Sequence, residues 1–151
     1  MVIKIISGGQ TGADQGGLEA AKMLGMSTGG TAPAHYTTEI GFQPSLANDY
    51  NLIESSSSLY SVRTKQNIIN SDGTVVFGKT RSLGTALTLR LCGRYQKPTL
   101  INPDKSSFAS WVSQHNIRIL NVSGNRESVN PGIQEKVRNF LLEALADDLH
   151  Q

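Results

Sequence analysis

The chain has 151 residues, 38% of them hydrophobic and 17% charged, with a formal net charge of +2. That length fits a single domain over residues 1–151, large enough to fold without a disulfide or a structural metal. The small charge argues against nucleic-acid binding, the lone Cys92 excludes an intrachain disulfide and a Cys-rich zinc site, and no stretch approaches a membrane span.

Val2–Ile6 is the first expected strand, with consecutive apolar residues as in a parallel sheet buried on both faces. Lys4 interrupts this run, which is too short for a signal peptide, so a cytoplasmic location is the expectation. Next come Ser7-Gly8-Gly9-Gln10-Thr11-Gly12-Ala13-Asp14 and a helix over Asp14–Leu24 ended by Gly25. Strand, Gly turn and helix are the geometry that presents backbone N–H groups to an anion, with Thr11 or Asp14 as the helix cap. No lysine lies between Lys4 and Lys22, so this is not a P-loop. Ser7 replaces the first glycine of a dinucleotide fingerprint, and Thr28–Pro33 supplies no ribose-binding acid. The alternative is a turn whose glycines serve packing alone.

A short strand is expected over Ser27–Thr31, then a long segment rich in turn formers from Pro33 to about Leu59. Further helices are expected at about Tyr60–Asn70, Leu83–Arg94, Phe108–His115 and Pro131–Leu149, the last capped by Asn130. Strands fall between them at Gly73–Phe77, Pro98–Ile101 and Ile117–Val122. This alternation gives an α/β fold, a parallel sheet of about five or more strands with helices on both faces. Ligands in such folds bind at the C-terminal ends of strands.

Two more turns satisfy that rule. Gly78-Lys79-Thr80-Arg81-Ser82-Leu83-Gly84-Thr85 offers cations, hydroxyls and a helix start. It is either a second anion site or a solvated basic turn. Ser123-Gly124-Asn125-Arg126-Glu127-Ser128 also precedes a helix, where Arg126 is a phosphate clamp or a surface salt-bridge partner. Arg63, Thr64 and Asn67 share one helical face, either a ligand-facing set or a solvated one. Cys92 reads as a buried inert thiol. His35, His115 and His150 lack metal-site spacing, and no catalytic triad can be assembled from the sequence.

Taken in order, SGGQTGADQGGLEAA, GGTAP, Thr38-Glu39-x-Gly41, Tyr60-x-x-Arg63-Thr64-x-x-Asn67, SDGTVVF, LGTALTL and NVSGNRES-x-x-PGI resemble the molybdenum cofactor carrier proteins. The resemblance runs from Ile5 to the last helix. It implies a Rossmann-like three-layer fold of the kind shared with cytokinin-activating phosphoribohydrolases. The implied cargo is molybdenum cofactor, a molybdopterin with dithiolene-held oxo-molybdenum and a terminal phosphate. It further implies a homo-oligomer, dimer or tetramer, that protects the cofactor and delivers it to molybdenum enzymes, with cofactor-synthesis proteins as further partners. The residues carried into the cofactor site are Gly8, Gly9, Gln10, Thr11, Gly12, Asp14, Arg63, Thr64, Asn67, Lys79, Arg81, Ser82, Gly84, Thr85, Arg126, Glu127 and Ser128. No catalytic residue and no protein ligand to the metal is expected, because the dithiolene already holds it.

The rival on the same fold is a nucleotide phosphoribohydrolase, which resembles its relatives in P-G-G-x-G-T-x-x-E. Here Gly84-Thr85 are kept, the Pro-Gly-Gly is absent, and Thr88 stands where the catalytic Glu would be. A hydroxyl cannot replace a carboxylate as general acid/base at neutral pH. A nucleotide-sensing module without catalysis is the third reading.

Overall fold

The computed structural model describes residues 1–146. In chain order the elements are β1 (Lys4–Ile6), α1 (Ala13–Met23), β2 (Ser27–Gly29), β3 (Thr31–Ala32), a 3₁₀ turn (Ala34–Tyr36), β4 (Thr37–Thr38), β5 (Gly41–Phe42), α2 (Ser45–Tyr50) and β6 (Ile53–Glu54). The second half holds α3 (Tyr60–Ile69), β7 (Gly73–Phe77), α4 (Leu83–Arg94), β8 (Thr99–Ile101), α5 (Lys105–Gln114), β9 (Ile119–Gly124) and α6 (Ile133–Ala146). The main sheet has five parallel strands in the order β2-β1-β9-β7-β8. This is the expected Rossmann-like α/β architecture.

Strand alternation sorts the two faces. Ile5, Val75, Phe77, Leu120 and Val122 meet α1, α5 and α6 in the larger core, with Phe108, Trp111, Val137, Leu141 and Leu145. Gly17 lets α1 lie close on the sheet, since a Cβ there would stand 2.7 Å from Val122. The other face is buried yet polar: Asn121 donates to Thr74 Oγ1 at 3.1 Å. There α3 packs against α4, and α4 against β9. From α4 it is Thr85, Thr88 and Cys92 that are buried, whereas Leu83 is 92% exposed.

Several boundaries differ from expectation. The strand expected over Ser27–Thr31 breaks at Gly30 (φ +126°), where a Cβ would lie 2.1 Å from the Ser7 carbonyl oxygen. Beyond the break, β3 leaves the main sheet and pairs with β6. The supposed loop from Pro33 to Leu59 is therefore structured, with the β4–β5 hairpin and α2 packed on Leu18 through Leu46 and Leu52. Neither Thr11 nor Asp14 caps α1; Gly12 holds that position without a side-chain bond. Asn130 does not cap α6 with its side chain. Glu127 takes that role, accepting from the Gly132 N–H at 2.6 Å and the Gln134 N–H at 3.0 Å. Asp104 caps α5, which begins three residues earlier than expected, at Lys105. The expected end of the last helix at Leu149, and His150, lie outside the described residues.

Candidate functional site

A cavity of about 550 Å³ opens at the C-terminal edge of the sheet. Its walls come from the turn after β1 (Gln10, Asp14), the first turns of α3 (Tyr60, Arg63, Thr64), the start of α4 (among them Ser82, Leu83, Gly84, Thr85 and Thr88) and the end of β9 with the segment after it (among them Ser123, Asn125, Arg126, Ser128 and Val129). The chain winds outward from β1 to β2 on one side and from β7 to β8 on the other, so this is where the winding direction switches. All three turns singled out in the sequence meet around this one cavity.

The first turn behaves differently from its sequence reading. The backbone amides from Gly9 to Ala13 already have acceptors inside the protein. Gln10 donates to the Asp14 carboxylate at 3.2 Å. Gly9 donates to Ser7 Oγ at 3.3 Å and Thr11 to Gln10 Oε1 at 3.0 Å. Gly12 donates to Gln134 Oε1 at 2.9 Å and Ala13 to the Asn125 carbonyl at 3.0 Å. The expected row of free N–H groups is absent, and the glycines serve close packing. A Cβ on Gly12 would lie 2.3 Å from the Asn125 carbonyl oxygen, and one on Gly9 would lie 2.7 Å from Leu52. What the turn presents to the cavity is the side chains of Gln10 and Asp14.

Free amides occur instead at α4. Ser82 caps the helix, accepting from the Thr85 N–H at 3.4 Å. The N–H groups of Leu83 and Gly84 have no acceptor among the described residues, as expected of a first helical turn, and both residues line the cavity. The positive end of the helix dipole adds to their pull on an anion. Asn125, 2% exposed, fixes this turn against the third one. Its Nδ2 shares two hydrogens among the Lys79 carbonyl at 2.9 Å, Ser82 Oγ at 3.0 Å and Thr85 Oγ1 at 3.2 Å, and its Oδ1 accepts from Asn130 Nδ2 at 3.2 Å.

Two guanidinium groups flank the entrance. Arg63 and Arg126 each lie 5.4 Å from the ring centroid of Tyr60. Each is also matched to a carboxylate. Arg63 Nη1 meets Asp14 Oδ2 at 3.0 Å, with both side chains largely buried. Burial raises the Asp14 pKa above the usual carboxylate value, with the Arg63 charge and the Gln10 and Gly8 N–H groups pulling against it. Arg126 Nε stands 4.0 Å from Glu39 Oε2. Glu39 also accepts from Thr11 Oγ1, from Ser128 Oγ and, at 3.1 Å, from the Ser128 N–H. Burial is the largest single influence on Glu39 and opposes its charge, but the Ser128 and Thr11 bonds with Arg126 outweigh it and hold its pKa below the usual value. Glu39 thus ties the β4–β5 hairpin to the first and third turns.

Of the seventeen residues carried over from the sequence, nine line the cavity: Gln10, Asp14, Arg63, Thr64, Ser82, Gly84, Thr85, Arg126 and Ser128. The others frame it. Gly8 gives room for Arg63, whose Nη1 would stand 1.7 Å from a Cβ there. Gly9 and Gly12 shape the first turn, and Thr11 accepts from the Glu127 N–H at 3.2 Å. Asn67 turns its amide to Thr31, at 2.8 Å and 2.9 Å, and so aligns β3 with α3. Glu127 caps α6. Lys79 and Arg81 are exposed and outside the lining. The residues missed were Glu39, Tyr60, Asn125, Thr88 and Ser123. All five stood in the quoted motifs, but their roles depend on partners remote in sequence, so nothing local singled them out. Among the described residues no group of His, Cys, Asp and Glu could hold a metal ion, and no helix is long and apolar enough to cross a membrane.

The circularly permutated YpsA SLOG family matches this sequence over residues 5–145. The chain belongs to that family. A solved structure gives the same fold. The crystal structure of a "putative molybdenum carrier protein" from Syntrophus aciditrophicus SB, at 1.45 Å resolution, superposes with a TM-score of 0.84 and 36% sequence identity. The match covers 95% of this chain and 94% of that one. The resemblance to molybdenum carrier proteins read from the sequence motifs is borne out at the family level. A search of curated proteins returned no significant match.

Proposed function

We propose that this chain is a non-catalytic carrier that holds molybdenum cofactor, the molybdopterin-bound oxo-molybdenum, in the cavity between its three turns, protects it and hands it to molybdenum enzymes. The observation that carries this reading is the convergence of the three turns on one cavity, in a fold that a molybdenum carrier shares over nearly its full length. The cavity volume suits a tricyclic pterin with its side groups. The open amides of α4, with Ser82 and Thr85, suit an oxyanionic end of the cargo. Arg126 supplies positive charge beside it. Hydrogen bonds without covalent ligation permit release. Gln10, Asp14, Arg63, Thr64, Ser82, Gly84, Thr85, Arg126 and Ser128 are the proposed contacts, with Gly8, Gly9, Thr11, Gly12, Asn67 and Glu127 as their frame, and Lys79 and Arg81 as outer cations that steer an anion.

The chemistry of the wall speaks against the hydrolase. Thr88 Oγ1 is bonded to the Gly84 carbonyl at 3.1 Å and lies 3.4 Å from Ser123 Oγ. A hydroxyl so placed is no general base. Asp14 also lines the cavity, but Arg63 holds its carboxylate. Incubation with nucleoside monophosphates tests this directly, with free base read by chromatography. The carrier reading expects none; turnover would establish the hydrolase, and retention of intact nucleotide with no pterin would establish the sensing module. Light scattering of the purified protein tests the homo-oligomer, dimer or tetramer.

A further inference from the structure

We propose that the floor of the cavity at Gln10 and Asp14 reads the lactam edge of a planar heterocycle, a ring carbonyl beside a ring N–H, and that the charged end of the cargo lies away from it. This rests on the carrier reading and specifies which end of the ligand goes where.

Gln10 is 6% exposed and lines the cavity. Its orientation is determined by its neighbours. Oε1 accepts from the Thr11 N–H at 3.0 Å and from the Glu39 N–H at 2.9 Å, so the amide nitrogen must face the other way. That nitrogen, Nε2, is buried and has no acceptor among the described residues. The same is true of Arg63 Nε, on the neighbouring wall. Two stranded donors on cavity-lining side chains are costly unless something supplies an oxygen. A ligand carbonyl oxygen is an acceptor suited to such a donor.

Asp14 decides what kind of oxygen it is. The carboxylate is 4% exposed, lines the same cavity and already balances the Arg63 charge at 3.0 Å. A phosphate or molybdate oxygen placed here would face that carboxylate, whose neighbouring cation, Arg63, is already matched. A neutral carbonyl does not. An ionised carboxylate has about four acceptor positions. Arg63 and the Gln10 N–H group take two, both on Oδ2, leaving room for a donor. Donor from Gln10 beside acceptor on Asp14 is the complement of C=O beside N–H. Tyr60, on the adjacent wall, offers a ring face for the plane of the heterocycle. Pterin and guanine share this edge, and the test separates them.

The experiment is equilibrium binding to the full chain of two ligand pairs, pterin against 3-methylpterin and guanosine 5′-monophosphate against its 1-methyl derivative. In each pair the methyl blocks only the ring N–H. Pterin is expected to bind at least about tenfold more tightly than 3-methylpterin. Gln10→Glu keeps the oxygen that serves Thr11 and Glu39 and removes the donor; it should weaken pterin by a similar factor. Equal binding within the pterin pair and within the guanosine pair, or no binding of either, overturns the lactam reading even if cofactor co-purifies. Discrimination only within the guanosine pair keeps the lactam reading and overturns the carrier.

Discussion

Replacing Arg63 by Met keeps the aliphatic stem and removes the charge that faces Asp14. The two side chains are 13% and 5% exposed, and the contact is 3.0 Å, so this is a buried pair. Removing one member of such a pair costs about 3–5 kcal/mol, chiefly because the other charge is left buried and unmatched. The penalty depends on pH. Burial already raises the Asp14 pKa in the folded protein, and without Arg63 nothing cationic opposes it. A raised folded pKa means that the group costs nothing below its unfolded value, about 3.9, and costs progressively more as pH rises through the folded one. Arg63→Met should therefore lose about 3–5 kcal/mol at pH 8 and markedly less at pH 5, as read by urea unfolding followed by circular dichroism. Adding Asp14→Asn should recover most of the loss at pH 8. A loss below about 1 kcal/mol at pH 8, or an equal loss at both pH values, would refute the pairing as described.

Gly8→Ala places a Cβ 1.7 Å from Arg63 Nη1, so the guanidinium must leave Asp14; its destabilisation should largely vanish in the Arg63→Met background, as a double-mutant cycle would show. Asn125→Ala strands donors and acceptors in two turns, with a cost of about 1–3 kcal/mol per buried group and a matching drop in melting temperature. Glu39 has its pKa depressed, so its contribution is present above the unfolded value, about 4.3, and is lost as pH falls through the folded one. Glu39→Gln should thus be destabilised at pH 7 and converge with the natural protein on acidification, measured as the urea midpoint against pH.

Much of the architecture was legible in the sequence because it depends on periodicity. Apolar runs such as Gly73–Phe77 and the stripe of Ile133, Val137, Leu141 and Leu145 declare strand and helix locally. The winding rule then located the site at the strand ends before any side chain was placed. What stayed hidden depends on remote partners. Nothing near Gly12 shows that Gln134 accepts from its N–H, or near Thr11 that its hydroxyl donates to Glu39 and accepts from the Glu127 N–H. The Gly-rich first turn therefore reads as an anion cradle, while its amides are in fact internally bonded. The plainer second turn keeps the amides of Leu83 and Gly84 open. Short elements such as β3 and α2 escaped for another reason: two to six residues carry too little periodicity to stand out from turn formers.

The most decisive measurement compares the natural protein with Gly84→Phe, both purified anaerobically from cells that make molybdenum cofactor. Gly84 lines the cavity, and a Cβ there meets nothing within 4 Å, so the substitution fills the site without touching the core. Replacing a helical glycine should also cost no stability. Molybdenum is measured by mass spectrometry and pterin by fluorescence after oxidation. The natural protein should carry both in fixed proportion, and Gly84→Phe, equally folded, should carry neither. Cargo retained by Gly84→Phe at the natural level would show that the cavity is not where it sits, and a natural protein without molybdenum or pterin would contradict the carrier outright.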